Sequence, residues 1–248
     1  AAELINKYGT LEKLLKSAHA IDREFKVMQA LSESDVPVPK MLHFCEDKDV
    51  IGTEFFVMDH ISGKIFWDPA LPDYCNSLRT QIYNQMSKIL SAIHSVDINK
   101  IGLSDYGRPG NYFERQFNRW VGQYRATETE TVKAMEYTIS WLEENMVEDD
   151  GQKTLVHGDY RLDNFLFEPN AGTILAVLDW ELSTIGHPFS DIAFQCALLR
   201  MPNDAALRGL GNIDRKANGI PSENDYLNRY CSEMGIQEIS NWTFYLVF

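Results

Sequence analysis

The chain has 248 residues, is 44% hydrophobic and carries a formal net charge of -13. An acidic surface without a long Lys/Arg run argues against a nucleic-acid partner. No apolar run reaches the roughly 20 residues of a membrane-spanning helix, and the N-terminus has no signal-peptide pattern. The four cysteines (Cys45, Cys75, Cys196 and Cys231) are widely spaced, which points to reduced thiols and a cytoplasmic protein rather than a disulfide framework or a zinc site.

Residues 17–31 read as a helix. Ile21, Phe25, Met28 and Leu31 form an apolar stripe, with Asp22, Arg23, Lys26 and Gln29 on the other side. At about 100° per residue Glu24 falls inside the stripe, and an acid on a buried face needs a partner. Two extended runs follow, "VPVPKMLHFCED" and "TEFFVMDHISG", rich in β-branched and aromatic residues. One helix and a strand pair make a small mixed lobe over residues 1–62. From residue 63 to 248 the pattern is mostly helical. Leu78, Ile82, Ile89 and Ile93 mark a long helix; a second covers roughly 111–124; Val132, Met135, Ile139 and Leu142 mark a third. The aromatic set Phe113, Phe117 and Trp120 has helical spacing and reads as core.

"KTLVHGD" then switches to β-type residues, and "NFLFEPNAGTILAVLDWE" reads as a hairpin turning at Pro169-Asn170-Ala171-Gly172. Helices resume at about 188–200 and 222–234, the latter opening with Ser222 and Asp225 at capping-box spacing. The chain opens without Met and closes on the apolar "WTFYLVF", which reads as continuing into packed structure.

The stretch "LVHGDYRLDNFLFE" (155–168) places His157, Asp159, Arg161, Asp163 and Asn164 between apolar ends. Such polar density near a core is costly unless paired or bound to something. Counting back from the hairpin turn puts Asn164 opposite about residue 177, beside Asp179. One amide oxygen and one carboxylate suit a hard cation such as Mg²⁺. The five-position interval from Asp159 to Asn164 is that of the kinase catalytic loop, in which the Asp receives the acceptor proton and the Asn holds metal. Asp159 is therefore the candidate base, with Asn164 and Asp179 as candidate metal ligands. His157 reads as a structural residue that holds the loop. Tyr160 and Arg161 either touch the acceptor or solvate the loop. His19, His43, His94 and His187 show no partner pattern.

"HGDYRLDN" together with "LDWE" resembles the signature of the aminoglycoside phosphotransferase and choline kinase superfamily, relatives of protein kinases. "SAHAIDREF", "GTEFFVMDHISGKIF", "VLDWELSTIGHPFSDIAF" and "GIPSENDYLNRYC" are similar to one branch, the kinase-like domain found alone in bacteria or fused ahead of acyl-CoA dehydrogenases. The resemblance implies an α+β, bilobal protein-kinase-like fold with ATP between the lobes and Mg²⁺ on its phosphates. It implies that Glu24 pairs with a phosphate-binding lysine, that "FVMDH" contacts adenine with Met58 and His60 near the hinge, and that Asp191 braces the catalytic loop. No Gly-rich loop is evident, and Lys7, 17 positions before Glu24, is the candidate for that lysine. The implied activity is γ-phosphate transfer to a small-molecule hydroxyl, with hydroxyacyl compounds or their CoA thioesters favoured over aminoglycosides. The alternatives are a non-catalytic nucleotide-binding domain, which does not require all of Asp159, Asn164 and Asp179, and a metal-dependent hydrolase.

Overall fold

The computed structural model describes residues 21–169 and 171–248. Lys7 and His19 lie outside the described residues.

Helix α1 (Ile21–Leu31) buries Val27, Met28 and Leu31. Phe25 meets Phe44 and Phe56 at ring-centroid distances of 5.4 and 6.3 Å. Those rings belong to the antiparallel pair β1 (Met41–Cys45) and β2 (Phe55–Met58), so two aromatic contacts from one side chain tie the helix to the strands. Arg23, expected on the outer side of α1, instead reaches across to the carbonyls of Tyr106 and Ser183 at 2.9 and 3.3 Å. A helix packed on both a sheet and a second body has too little free surface for a simple two-sided division.

The chain leaves β2 and at Lys64 exchanges two backbone hydrogen bonds with Phe167, at 2.8 and 2.9 Å. Helix α2 (Asn76–His94) follows, with Ile82, Leu90 and Ile93 fully buried. It packs on α6 (Glu223–Met234), whose start carries the expected capping box between Ser222 and Asp225. Helices α3 (Tyr112–Thr127) and α4 (Lys133–Glu144) fall where the apolar spacing placed them. Phe113 and Phe117 are buried as expected. Trp120 is not: it is 50% exposed, although its i, i+7 spacing from Phe113 puts it near the same face of α3, and it lines a surface cavity instead.

Strand β3 (Thr154–Val156) pairs antiparallel with β6 (Thr184–Gly186), and β4 (Phe165–Phe167) with β5 (Ile174–Val177). Helices α5 (Phe189–Arg200) and α7 (Trp242–Val247) complete the described chain and pack on one another. Strand β6 and helix α7, three and six residues long, are too short to carry a readable period. Among the described residues no helix is long and apolar enough to cross a membrane.

The β4–β5 hairpin sets the register of the polar stretch. Glu168 pairs with Thr173 as counted, but Phe165 faces Val177 while Phe167 faces Ile174. Leu175 is the extra residue, a β-bulge. Asn164 therefore bonds across to Leu178, whose N–H donates to its carbonyl at 2.8 Å, one position beyond the sequence count. Asp179 is the next residue.

Candidate active site

Strand β3 ends at Val156, and the chain enters the loop through His157 and Gly158. Gly158 has φ +85°, and a Cβ there would lie 2.6 Å from the Leu182 carbonyl oxygen, so glycine is required twice over. Asp191, buried near the start of α5, accepts the N–H groups of His157 and Gly158 at 2.7 and 2.8 Å. The loop backbone is thus clamped by one carboxylate. Burial pushes the Asp191 carboxyl up. The contact with His94 and the loop amides more than offset that and hold it below the usual carboxylate range.

His157 is fully buried. The Asp159 N–H donates to its Nδ1 at 3.2 Å, so the ring proton sits on Nε2, which donates to the Leu178 carbonyl at 3.0 Å. Burial lowers the His157 pKa, and a neutral ring in this tautomer satisfies both contacts. One imidazole therefore fixes Asp159 and the residue before Asp179 at once.

Asn164 closes a single turn of 3₁₀ helix (Leu162–Asn164). Its side-chain amide donates to the Asp159 carbonyl and to Asp159 Oδ2, both at 2.9 Å. Because a carboxylate only accepts, the amide nitrogen must face it, which leaves Asn164 Oδ1 as a spare acceptor. Asp179 has φ +61°, a left-handed conformation rare for a non-glycine residue, and is exposed. Desolvation, followed by the like charges of Glu181 and Asp159, raises its pKa. The donor set of Asn164 Oδ1 and Asp179 is hard, oxygen-only and crowded with negative charge. It fits Mg²⁺, which takes few protein oxygens and keeps several waters. Among the described residues no group of three His, Cys, Asp or Glu could hold a metal, so a structural zinc-type cluster is not what this site offers.

Tyr160 is core: it is fully buried and its hydroxyl donates to the Met86 carbonyl at 2.6 Å. Arg161 pairs with Asp163 at 2.6 Å. Both of the latter line a cavity of about 260 Å³ closed by Trp67, Tyr83 and Leu199. A larger cavity of about 660 Å³ opens beside Gly158 and residues 181–184.

Glu24 is half-buried on α1. Met58 ends β2 and His60 follows it, both exposed. Among the described residues no hydrogen bond or ion pair joins Met58 or His60 to Asp159, Asn164 or Asp179.

Sequence reasoning missed His94. Its Nε2 lies 3.3 Å from Asp191 Oδ2 and its Nδ1 2.7 Å from the Tyr230 hydroxyl, so it braces the brace. The only signal was a histidine in the last turn of a buried helix face. His187 also has a partner, with Asp150 at 3.3 Å.

This arrangement, a small mixed lobe joined to a mostly helical one with the polar loop beside a hairpin, is the protein-kinase-like fold. Residues 11–219 match the model of the phosphotransferase enzyme family (APH), and the chain belongs to that family. Acyl-CoA dehydrogenase family member 10 of Mus musculus is 47% identical over 95% of this chain, which spans only 22% of that relative's length. A Ralstonia eutropha crystal structure, provisionally assigned as an aminoglycoside phosphotransferase, is 46% identical, with a TM-score of 0.87 over 92% of this chain and 69% of that one. The streptomycin–ATP ternary complex of APH(2″)-IIa shares the fold alone. It is 18% identical with a TM-score of 0.57, over 90% of this chain and 67% of that one.

Proposed function

We propose that the protein transfers the γ-phosphate of ATP to a hydroxyl of a small molecule. The observation that carries this reading is the bond from the Asn164 amide to the Asp159 carboxylate, which orients the base and leaves the Asn164 oxygen available beside Asp179. Asp159 positions the acceptor hydroxyl and takes its proton. Asn164 Oδ1 and Asp179 would hold Mg²⁺, which when bound neutralises charge on the nucleotide phosphates. Positioning and charge stabilisation are most of what phosphoryl transfer asks of a protein. His157 and Asp191 fix the loop and keep Asp159 in place.

In this proposal Glu24 pairs with the phosphate-binding lysine, and Met58 and His60 flank the adenine. The lobe boundary lies at residues 62–63; Lys64, just beyond it, already pairs with Phe167 of the larger lobe. The likeness to a protein named for acyl-CoA dehydrogenase supports hydroxyacyl compounds or their CoA thioesters as acceptors. A screen of hydroxyl compounds for ATP consumption tests the reading. Acceptor-dependent ADP release that disappears in Asp159→Asn is expected. Undiminished release in that variant would remove Asp159 from its role.

A further inference from the structure

The cavity of about 660 Å³ beside Gly158 is lined by four arginines, Arg23, Arg108, Arg115 and Arg119. In a chain of net charge -13 that is a local reversal of sign. Arg115 and Arg119 stand at i, i+4 on one face of α3, a spacing at which like charges destabilise a helix. Among the described residues no ion pair neutralises any of the four. Neighbouring groups orient three of them without cancelling their charge. Arg23 donates to two carbonyls and stacks on the Tyr106 ring at 4.1 Å. Arg115 donates to the carbonyls of Pro109, at 3.0 Å, and Gly110. Arg119 packs 5.0 Å from the Trp120 ring. Of the two carboxylates on the wall, Asp105 is taken by Lys26 at 3.0 Å, and the other is Glu181.

We propose that this cavity binds the anionic group of the acceptor, so that the acceptor is a hydroxyl compound bearing carboxylate or phosphate. The assignment of the ligand as acceptor rests on the reading of Asp159 as the base, since the cavity reaches the loop at Gly158, the preceding residue. Planar guanidiniums held by carbonyls and aromatic rings are pre-oriented for two-pronged contact with such oxyanions. A polycationic acceptor would meet like charge instead.

Trp120 lies on the cavity wall, so its fluorescence, backed by calorimetry, reads binding directly. The probes are 3-hydroxybutyrate for a carboxylate, CoA for phosphates, and kanamycin as a polycation, each with and without Mg²⁺-ATP. Binding of either anion is expected to weaken about tenfold or more in Arg115→Gln and in Arg119→Gln. It should be unchanged in Arg125→Gln, whose side chain faces Glu136 at 2.6 Å elsewhere on α3 and so controls for helix damage. Which of the two anions binds identifies the group. The proposal is overturned if neither binds, if the cavity substitutions leave binding intact, if Mg²⁺-ATP displaces the anion, or if kanamycin binds more tightly. Asp159→Asn separates the two readings. Anion binding with undiminished turnover in that variant would remove the base while keeping the anion site. Lost turnover without anion binding in any variant would do the reverse.

Discussion

Asp159 and Asp179 flank the same open end of the β4–β5 hairpin, yet they are held in opposite ways. The loop of Asp159 is clamped by Asp191, steadied by His157 and bonded to Asn164, largely out of water. Asp179 is exposed, sits at φ +61° and carries a pKa raised by desolvation and by two neighbouring carboxylates. The first arrangement fixes an atom in space. The second holds a carboxylate among like charges on a left-handed backbone, a crowding of negative charge that a cation would offset. In the proposed reading, rigidity suits a base and crowded negative charge suits a cation ligand.

The sharpest way to break this contrast is to remove the Asp159 carboxylate. Asp159→Asn should lower turnover by roughly 10² or more while nucleotide affinity stays within a few-fold. Steady-state kinetics beside nucleotide titration would show it, and equal losses in both would mean that Asp159 is not specific to the chemical step.

Next comes the clamp. Asp191→Ala strands two loop amides and His94, and breaking a buried pair of this kind costs about 3–5 kcal/mol. Denaturant unfolding should show that loss. Asp179→Asn, by contrast, keeps a residue tolerant of positive φ and sheds a crowded charge. It should leave unfolding unchanged or slightly improved while weakening Mg²⁺-dependent ATP binding by about tenfold or more. Similar instability in both variants would erase the contrast between the two regions.

The titration of Asp179 gives a finer test. A raised carboxyl pKa means that protons compete for the site at a higher pH than for an ordinary Asp, near 3.9. Mg²⁺ affinity should therefore fall as pH is lowered, with its midpoint above that value. The same shift means that the charge of Asp179 subtracts from stability as pH rises through its folded pKa, so Asp179→Asn should lose that part of the pH dependence. A midpoint at or below the ordinary value would contradict the crowding seen here.

The smallest effect is expected at α1. Glu24→Gln should weaken ATP binding a few-fold with little change in turnover at saturating ATP. Unaltered affinity would detach α1 from the nucleotide.

Legibility in the sequence followed the length of each pattern. Helix α2 spans five turns of regular apolar spacing and was readable, as was the capping box at Ser222. Strand β6 is three residues long and is defined by its partner β3, which no local pattern reveals. The polar triad was legible because the hairpin turn announces itself and the Asp159–Asn164 interval is fixed by local chain geometry. His94 and Tyr230 were not, because the Asp191 network joins residues 97 and 136 positions apart that only the packed fold brings together. Tyr160 misled because its neighbours are polar. Tyr160 precedes the 3₁₀ turn and turns inward, where its hydroxyl reaches the Met86 carbonyl of α2, a contact 74 positions away in the chain. Arg23 misled because a two-sided helix pattern cannot show a second body packed against its outer face.

The bulge at Leu175 separates what can drift from what cannot. The ladder from Phe165 and Val177 to Asn164 and Leu178 does not depend on how many residues close the hairpin tip; the tip is constrained separately, by the packing of Gly172 against Leu78 and Ile82 of α2. Losing Leu175 itself would slip the pairing by one residue and turn alternate side chains to the opposite face. A search for such sites in other genomes should therefore let the Asn-to-Asp spacing float and require an odd, unpaired residue in the returning strand.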